Sequence, residues 1–129
     1  MIRDEGNRMV EAKVVRPSTC EWASSFVVVP KKDGLPRFCV DYRRFNAVTK
    51  KDSYPIPRME DCIDSLGDAR VFSTLHCNAG YWQIPMVLDE IDKTAFICHM
   101  GTYEYLKMAF GVTDAPATFQ RALDIILSG

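Results

Sequence analysis

The chain has 129 residues, 47% hydrophobic and 26% charged, with a formal net charge of −1. These values match globular averages and argue against disorder, and the length suits one modest domain or part of a larger one. No apolar run approaches membrane-spanning length and the start lacks the layout of a secretory leader, so an intracellular location away from membranes is expected.

From the amino terminus, Ile2, Met9, Val10 and Val14 recur at loosely helical spacing that Gly6 weakens, and Pro17 stops the pattern. Residues 1–15 are therefore expected to form a helical lead-in to a domain over 16–129. Trp22 leads into Phe26-Val27-Val28-Val29, a β-branched run that suits a buried strand, and Pro30 marks a strand end or an edge. Lys31-Lys32-Asp33-Gly34 carries an Asp-Gly turn signal, with clean alternation from Arg37 to Arg43 behind it. The expected hairpin puts Phe38, Val40 and Tyr42 on one face and Arg37, Cys39, Asp41 and Arg43 on the other. Lys31 stands where the first strand leaves off and Arg37 where the second begins, so both cations can reach over one edge. Converging cations suit a triphosphate; a solvated turn with surface lysines is the plainer alternative.

Residues 46–57 read as a connector. A helix follows from Arg58, with Met59, Cys62, Ile63 and Leu66 on one stripe, a solvated acidic side at Glu60, Asp61 and Asp64, and Gly67 at its end. Val71 to Leu75 is a β-prone run that ends abruptly at His76, followed by a turn at Gly80 and a second β-prone run, Tyr81-Trp82-Gln83-Ile84. A strand end emptying into a turn is a rigid mount for a reactive group, and here it holds a histidine. Asp89 to Lys93 is polar. Thr94–His99 and Tyr103–Met108 read as strands around a Met100-Gly101-Thr102 turn. The last element is a helix that Asp114 can cap and Pro116 can open, with Ala115, Phe119, Ala122, Leu123 and Ile126 on one face.

The five cysteines include no Cys-x-x-Cys pair, so they read as free thiols. His76, Cys77 and His99 are zinc-type donors, yet no fourth ligand is indicated and adjacent His-Cys chelates one ion poorly. Between Lys31 and Arg58 stand eight cations and three acids, a local +5; the remainder holds eight cations and fourteen acids, or −6. Such a block marks either a phosphate or nucleic-acid surface or a merely solvated face.

In order, Arg16-Pro17-Ser18, Trp22-Ala23-Ser24, Val29-Pro30-Lys31-Lys32-Asp33-Gly34 and Arg37-Phe38-Cys39-Val40-Asp41-Tyr42-Arg43 resemble a reverse transcriptase of the Ty3/Gypsy long-terminal-repeat retrotransposon class. So do Tyr54-Pro55-Ile56-Pro57-Arg58, Gly80-Tyr81-Trp82-Gln83-Ile84, Lys93-Thr94-Ala95-Phe96, Phe110-Gly111 and Ala115-Pro116-Ala117-Thr118-Phe119-Gln120. The resemblance covers nearly all of residues 12–129. It implies an α+β fold: the fingers and first part of the palm of a right-hand polymerase, an antiparallel sheet with packed helices and an incomplete palm. It further implies that Lys31 and Arg37 contact the triphosphate of an incoming deoxynucleotide. Tyr81 would stack beneath the sugar and exclude a 2′-hydroxyl. Phe110, Gly111 and Gln120 would shape the nucleotide pocket and position an RNA or DNA template-primer.

Two departures bear on activity. His76 stands where the family carries an aspartate that binds both catalytic Mg2+ ions, and the family's Asp-Asp hairpin falls after the final helix and is not among these residues. Mg2+ prefers oxygen ligands and two-metal phosphoryl transfer relies on carboxylates, so no metal site productive for Mg2+ is expected. Ala79, Ala109 and Asp114 depart where the family carries a small polar residue, proline and asparagine. The expectation is a polymerase-related chain that does not polymerise alone, a retroelement remnant; a non-enzymatic nucleic-acid or protein-binding module is the alternative. The strand before His76 would lack its partner hairpin, so its bare edge is expected to promote self-association.

Overall fold

Five strands form one sheet in the order β1-β5-β4-β2-β3: β1 (Val15–Pro17), β2 (Ser24–Pro30), β3 (Pro36–Asp41), β4 (Phe96–Cys98) and β5 (Gly101–Tyr105). This computed structural model describes residues 2–32, 34 and 36–128; Asp33 of the expected turn, the Ile2 side chain and Gly129 lie outside the described residues. The sheet is mixed rather than wholly antiparallel, because β2 and β4 run parallel through Ser24 against Phe96 and Ser25 against Ile97. A parallel pair needs a long crossover, here the whole stretch from Tyr42 to Ala95, which no local pattern reveals.

The helix α1 (Ile2–Glu11) forms as expected but ends earlier. Lys13 turns left-handed at φ 54°, Lys13 N–H donates to the Val10 carbonyl at 3.0 Å and Val14 N–H to that of Met9 at 2.9 Å. That double closure releases the chain into β1, where Val15 pairs with Tyr105. Met9, Val14 and Val15 then enter a core with Val40, Tyr42, Phe96, Tyr105 and Ala109. Each large apolar side chain so buried contributes roughly 1.5–3 kcal/mol. The Tyr42 and Thr94 hydroxyls there are paired: Tyr42 Oη donates to the Thr94 carbonyl at 2.7 Å, and Thr94 Oγ1 accepts the Tyr105 N–H at 2.8 Å.

The hairpin of β2 and β3 forms as expected, with Val29 opposite Arg37. Its valines are not buried: Val27, Val28 and Val29 stay largely exposed, because β4 pairs with β2 only at Ser24 and Ser25 and the hairpin runs on past it. Nor does the strand extend to Arg43. Asp41 Oδ1 accepts the Arg43 N–H at 3.1 Å and its carboxylate grips the guanidinium at 2.8 and 2.6 Å, turning the chain into an unanticipated helix, α2 (Arg43–Val48).

The helix α3 (Met59–Leu66) matches its predicted bounds, ending at Gly67 with φ 51°, but its apolar stripe is exposed. The β-prone run beyond it forms no strand. Val71 and Leu75 are 90% and 89% exposed, and no neighbouring segment among the described residues supplies ladder hydrogen bonds. The second run is not a strand either. Left-handed Ala79, at φ 46°, opens a 3-10 turn over Gly80–Gln83. Past it, Met108 N–H donates to the Ile84 carbonyl at 2.8 Å and Met86 N–H to that of Leu106 at 3.0 Å. Cys98 pairs with Gly101, so the β4–β5 turn is His99-Met100 instead of Met100-Gly101-Thr102. Finally, α4 (Ala115–Leu127) buries Ala115 and Ala117 but leaves Ile126 exposed. Asp114 precedes this helix, yet its carboxylate accepts the Asp52 N–H at 3.0 Å rather than capping a helical N–H.

Candidate functional site

Hairpin register brings the two expected phosphate contacts to one end. Arg37 pairs with Val29 near the tip, and the turn beyond it is closed by Gly34, at φ 79°, whose N–H donates to the Lys31 carbonyl at 2.9 Å. Lys31 and Arg37 are both exposed and make no ion pair with a described residue. They line a single cleft of about 700 Å³ together with Phe110 and Gly111. Trp82, Cys39 and the α1 residues Glu5, Arg8 and Met9 line it as well.

Aromatic packing and one amide hold the far part of the cleft. Phe110 lies 5.0 Å from the Tyr81 ring and 5.8 Å from that of Trp82, and Tyr81 packs edge-on against Phe119 at 5.6 Å. A Cβ on Gly80 would sit 2.9 Å from the Phe119 ring, so a glycine allows this approach. Gly111, at φ 92°, turns the chain over Tyr42 and Val40. Asn46 of α2 clamps that turn: Nδ2 donates to the Gly111 carbonyl at 2.8 Å and Oδ1 accepts the Thr113 N–H at 2.9 Å. Trp82 Nε1–H is buried and meets no acceptor among the described residues.

Tyr81 does not line the cleft itself but braces it through Phe110. Gln120 lies away from it on α4, donating to Asp124 at 2.8 Å. Asp124 also accepts the Tyr54 hydroxyl at 2.6 Å, while Arg121 stacks over the Tyr54 ring and donates to Asp52 at 2.7 Å. Gln120 is thus part of the tie that fastens the connector to α4. His76 is exposed in the strandless segment and is not among the cleft residues.

Among the described residues no three His, Cys, Asp or Glu side chains gather so as to hold a metal, His76, Cys77 and His99 included. On β3 itself, the Asp41 carboxylate is occupied by Arg43, whose guanidinium lowers its carboxyl to about 2. Sequence reasoning missed Asn46, Trp82 and the α1 residues; the Asp41-x-Arg43 turn was the available signal for the helix that carries Asn46.

The fold is that of a right-hand polymerase. A foamy viral protease-reverse transcriptase, solved in complex with double-stranded DNA, superposes with a TM-score of 0.81 at 20% identity, over 99% of this chain and 23% of that one. A model of the reverse transcriptase (RNA-dependent DNA polymerase) family matches residues 29–129, and the chain belongs to that family. In Drosophila melanogaster, the retrovirus-related Pol polyprotein from transposon opus is 40% identical over 94% of this chain, and that from transposon gypsy 35% identical over 98%. Those are relatives of the Ty3/Gypsy kind that the motifs resemble. The chain spans 13% of the length of each. Among the described residues no helix is long and apolar enough to cross a membrane.

Proposed function

We propose that the chain forms the fingers and the start of the palm of a retrotransposon reverse transcriptase, and that its cleft takes the triphosphate of a deoxynucleotide. The observation that carries this reading is the convergence of Lys31 and Arg37 with Phe110 and Gly111 on one cleft. Its volume, about 700 Å³, lies within the usual range for small-ligand sites. Lys31 supplies a compact charge and Arg37 a planar fork of donors, which together offset part of a polyphosphate's charge. Tyr81 acts through Phe110, setting the wall against which a sugar and base would rest. Gln120 acts at a distance, by fixing the connector on which a template-primer would lie.

The same reading makes the 129-residue chain by itself unable to transfer nucleotides. His76 stands where the family places a metal-binding aspartate, and no Asp-Asp pair occurs anywhere in the sequence. Primer extension on an RNA template with Mg2+ tests this, with no incorporation expected. A second reading rests on the exposed cations Lys31, Lys32, Arg37, Arg44, Lys50 and Lys51, none of which forms an ion pair with a described residue. In it the fingers serve as a nucleic-acid-binding module whose affinity is weak, salt-sensitive and indifferent to sequence. Titration with dTTP beside RNA–DNA hybrid separates the two: hybrid binding without dTTP binding favours the module, and dTTP binding that Lys31→Gln weakens favours the nucleotide cleft. The exposed segment 68–78 offers a surface to a second copy of the chain, since unpaired extended backbone with apolar side chains promotes association.

A further inference from the structure

We infer that Arg8 of α1 is a third cation of the triphosphate site and that Glu5 gates it. This deepens the nucleotide reading above and rests on it. Four charged residues line the cleft, Glu5, Arg8, Lys31 and Arg37, so cations outnumber acids three to one. A triphosphate carries more negative charge than two cations offset, and a third basic group beside them adds to the neutralisation.

Arg8 is held in place rather than merely nearby. Its neighbour Met9 is buried in the core, and Gly6 lies so close to Met100 at the β4–β5 turn that a Cβ would overlap the Met100 side chain. The double closure at Val10 and Met9 fixes the end of the helix. The α1 backbone therefore presents Arg8 to the cleft from a settled position. Its guanidinium now donates through one nitrogen to Glu5 at 3.1 Å, in an exposed pair. Exposed pairs are weak, and arginine retains further N–H donors, so a phosphate can replace or share the carboxylate. Glu5 then has two effects of one sign: it competes for Arg8 and repels the incoming anion.

The test is calorimetric titration of the 129-residue chain with sodium tripolyphosphate and with dTTP, comparing wild type with Arg8→Gln, Arg8→Lys, Glu5→Gln and Lys31→Gln. Arg8→Gln should weaken binding about three- to tenfold, Arg8→Lys less, and Glu5→Gln should tighten it about two- to threefold. Opposite signs from two neighbouring surface residues are not produced by a loss of helix stability, which circular dichroism checks separately. Wild-type affinity in Arg8→Gln, with Lys31→Gln weakened, overturns the role of Arg8 and leaves the nucleotide reading standing. No binding by wild type, or no effect of Lys31→Gln, overturns both. An Arg8→Gln loss confined to duplex nucleic acid also overturns the inference, by assigning Arg8 to backbone contacts instead.

Discussion

Asn46 Nδ2 donates to the Gly111 carbonyl at 2.8 Å across a sequence separation of 65 residues. With the Thr113 N–H returning to its Oδ1, one amide joins α2 to the turn behind Phe110. Asn46→Ala removes both bonds and should destabilise the fold by about 1–2 kcal/mol, read by denaturant melts. Triphosphate binding should weaken in the same variant, because Phe110 and Gly111 lose their brace.

Gly111 itself is required for its backbone, not for lack of space. At φ 92° a Cβ would meet Tyr42 and Val40 at 3.7 Å, an ordinary contact, yet the conformation is strained for any L side chain. Gly111→Ala should cost about 1 kcal/mol or more. Gly80→Ala fails for the other reason, overlap with Phe119, and should disturb the near-ultraviolet signal of the aromatic cluster.

Much of this fold was readable from local pattern. The alternation through Phe38 and Val40, the Gly67 stop and the Pro116 helix start each dictate a local conformation, and each forms where expected, although the strand ends at Asp41, short of Tyr42. What could not be read depends on distant partners. The parallel pairing of Ser24 with Phe96 and the exposure of Val27 to Val29 are decided by where β4 stops. The run from Val71 to Leu75 has strand propensity, but propensity without a hydrogen-bonding neighbour gives no strand. At the site, motif resemblance supplied Lys31, Arg37, Phe110 and Gly111, which share the cleft, whereas Asn46 and Arg8 belong to elements whose placement only the tertiary fold reveals.

Glu104 should make the fold acid-sensitive. It is buried at 7% exposure, which pushes its carboxyl up, but the Ser18 hydroxyl at 2.6 Å and the Arg16 guanidinium at 2.7 Å outweigh burial and hold it below the ordinary 4.5. A carboxyl lowered on folding contributes stability above its unfolded value, and that contribution is lost as pH falls through the folded one. Melting temperature should therefore drop below about pH 4.5 in wild type, and Glu104→Gln should flatten that dependence while costing about 1–2 kcal/mol at neutral pH.

The exposed apolar side chains of Val71, Phe72 and Leu75, with Met59 and Ile63 on α3, should make the chain self-associate. Sedimentation should show mass rising with concentration, and Val71→Lys combined with Leu75→Lys should reduce it. A wild-type chain that stays monodisperse and monomeric would remove this surface from the account.

The central proposal is that an imidazole at position 76, with no cluster of three metal-ligating side chains among the described residues, does not support metal-dependent nucleotide transfer. Primer extension by the purified 129-residue chain on an RNA template with Mg2+, wild type beside His76→Asp, measures it directly. The account predicts no incorporation from either, since one added carboxylate still leaves the Asp-Asp pair missing. Templated incorporation by the wild-type chain alone would contradict it.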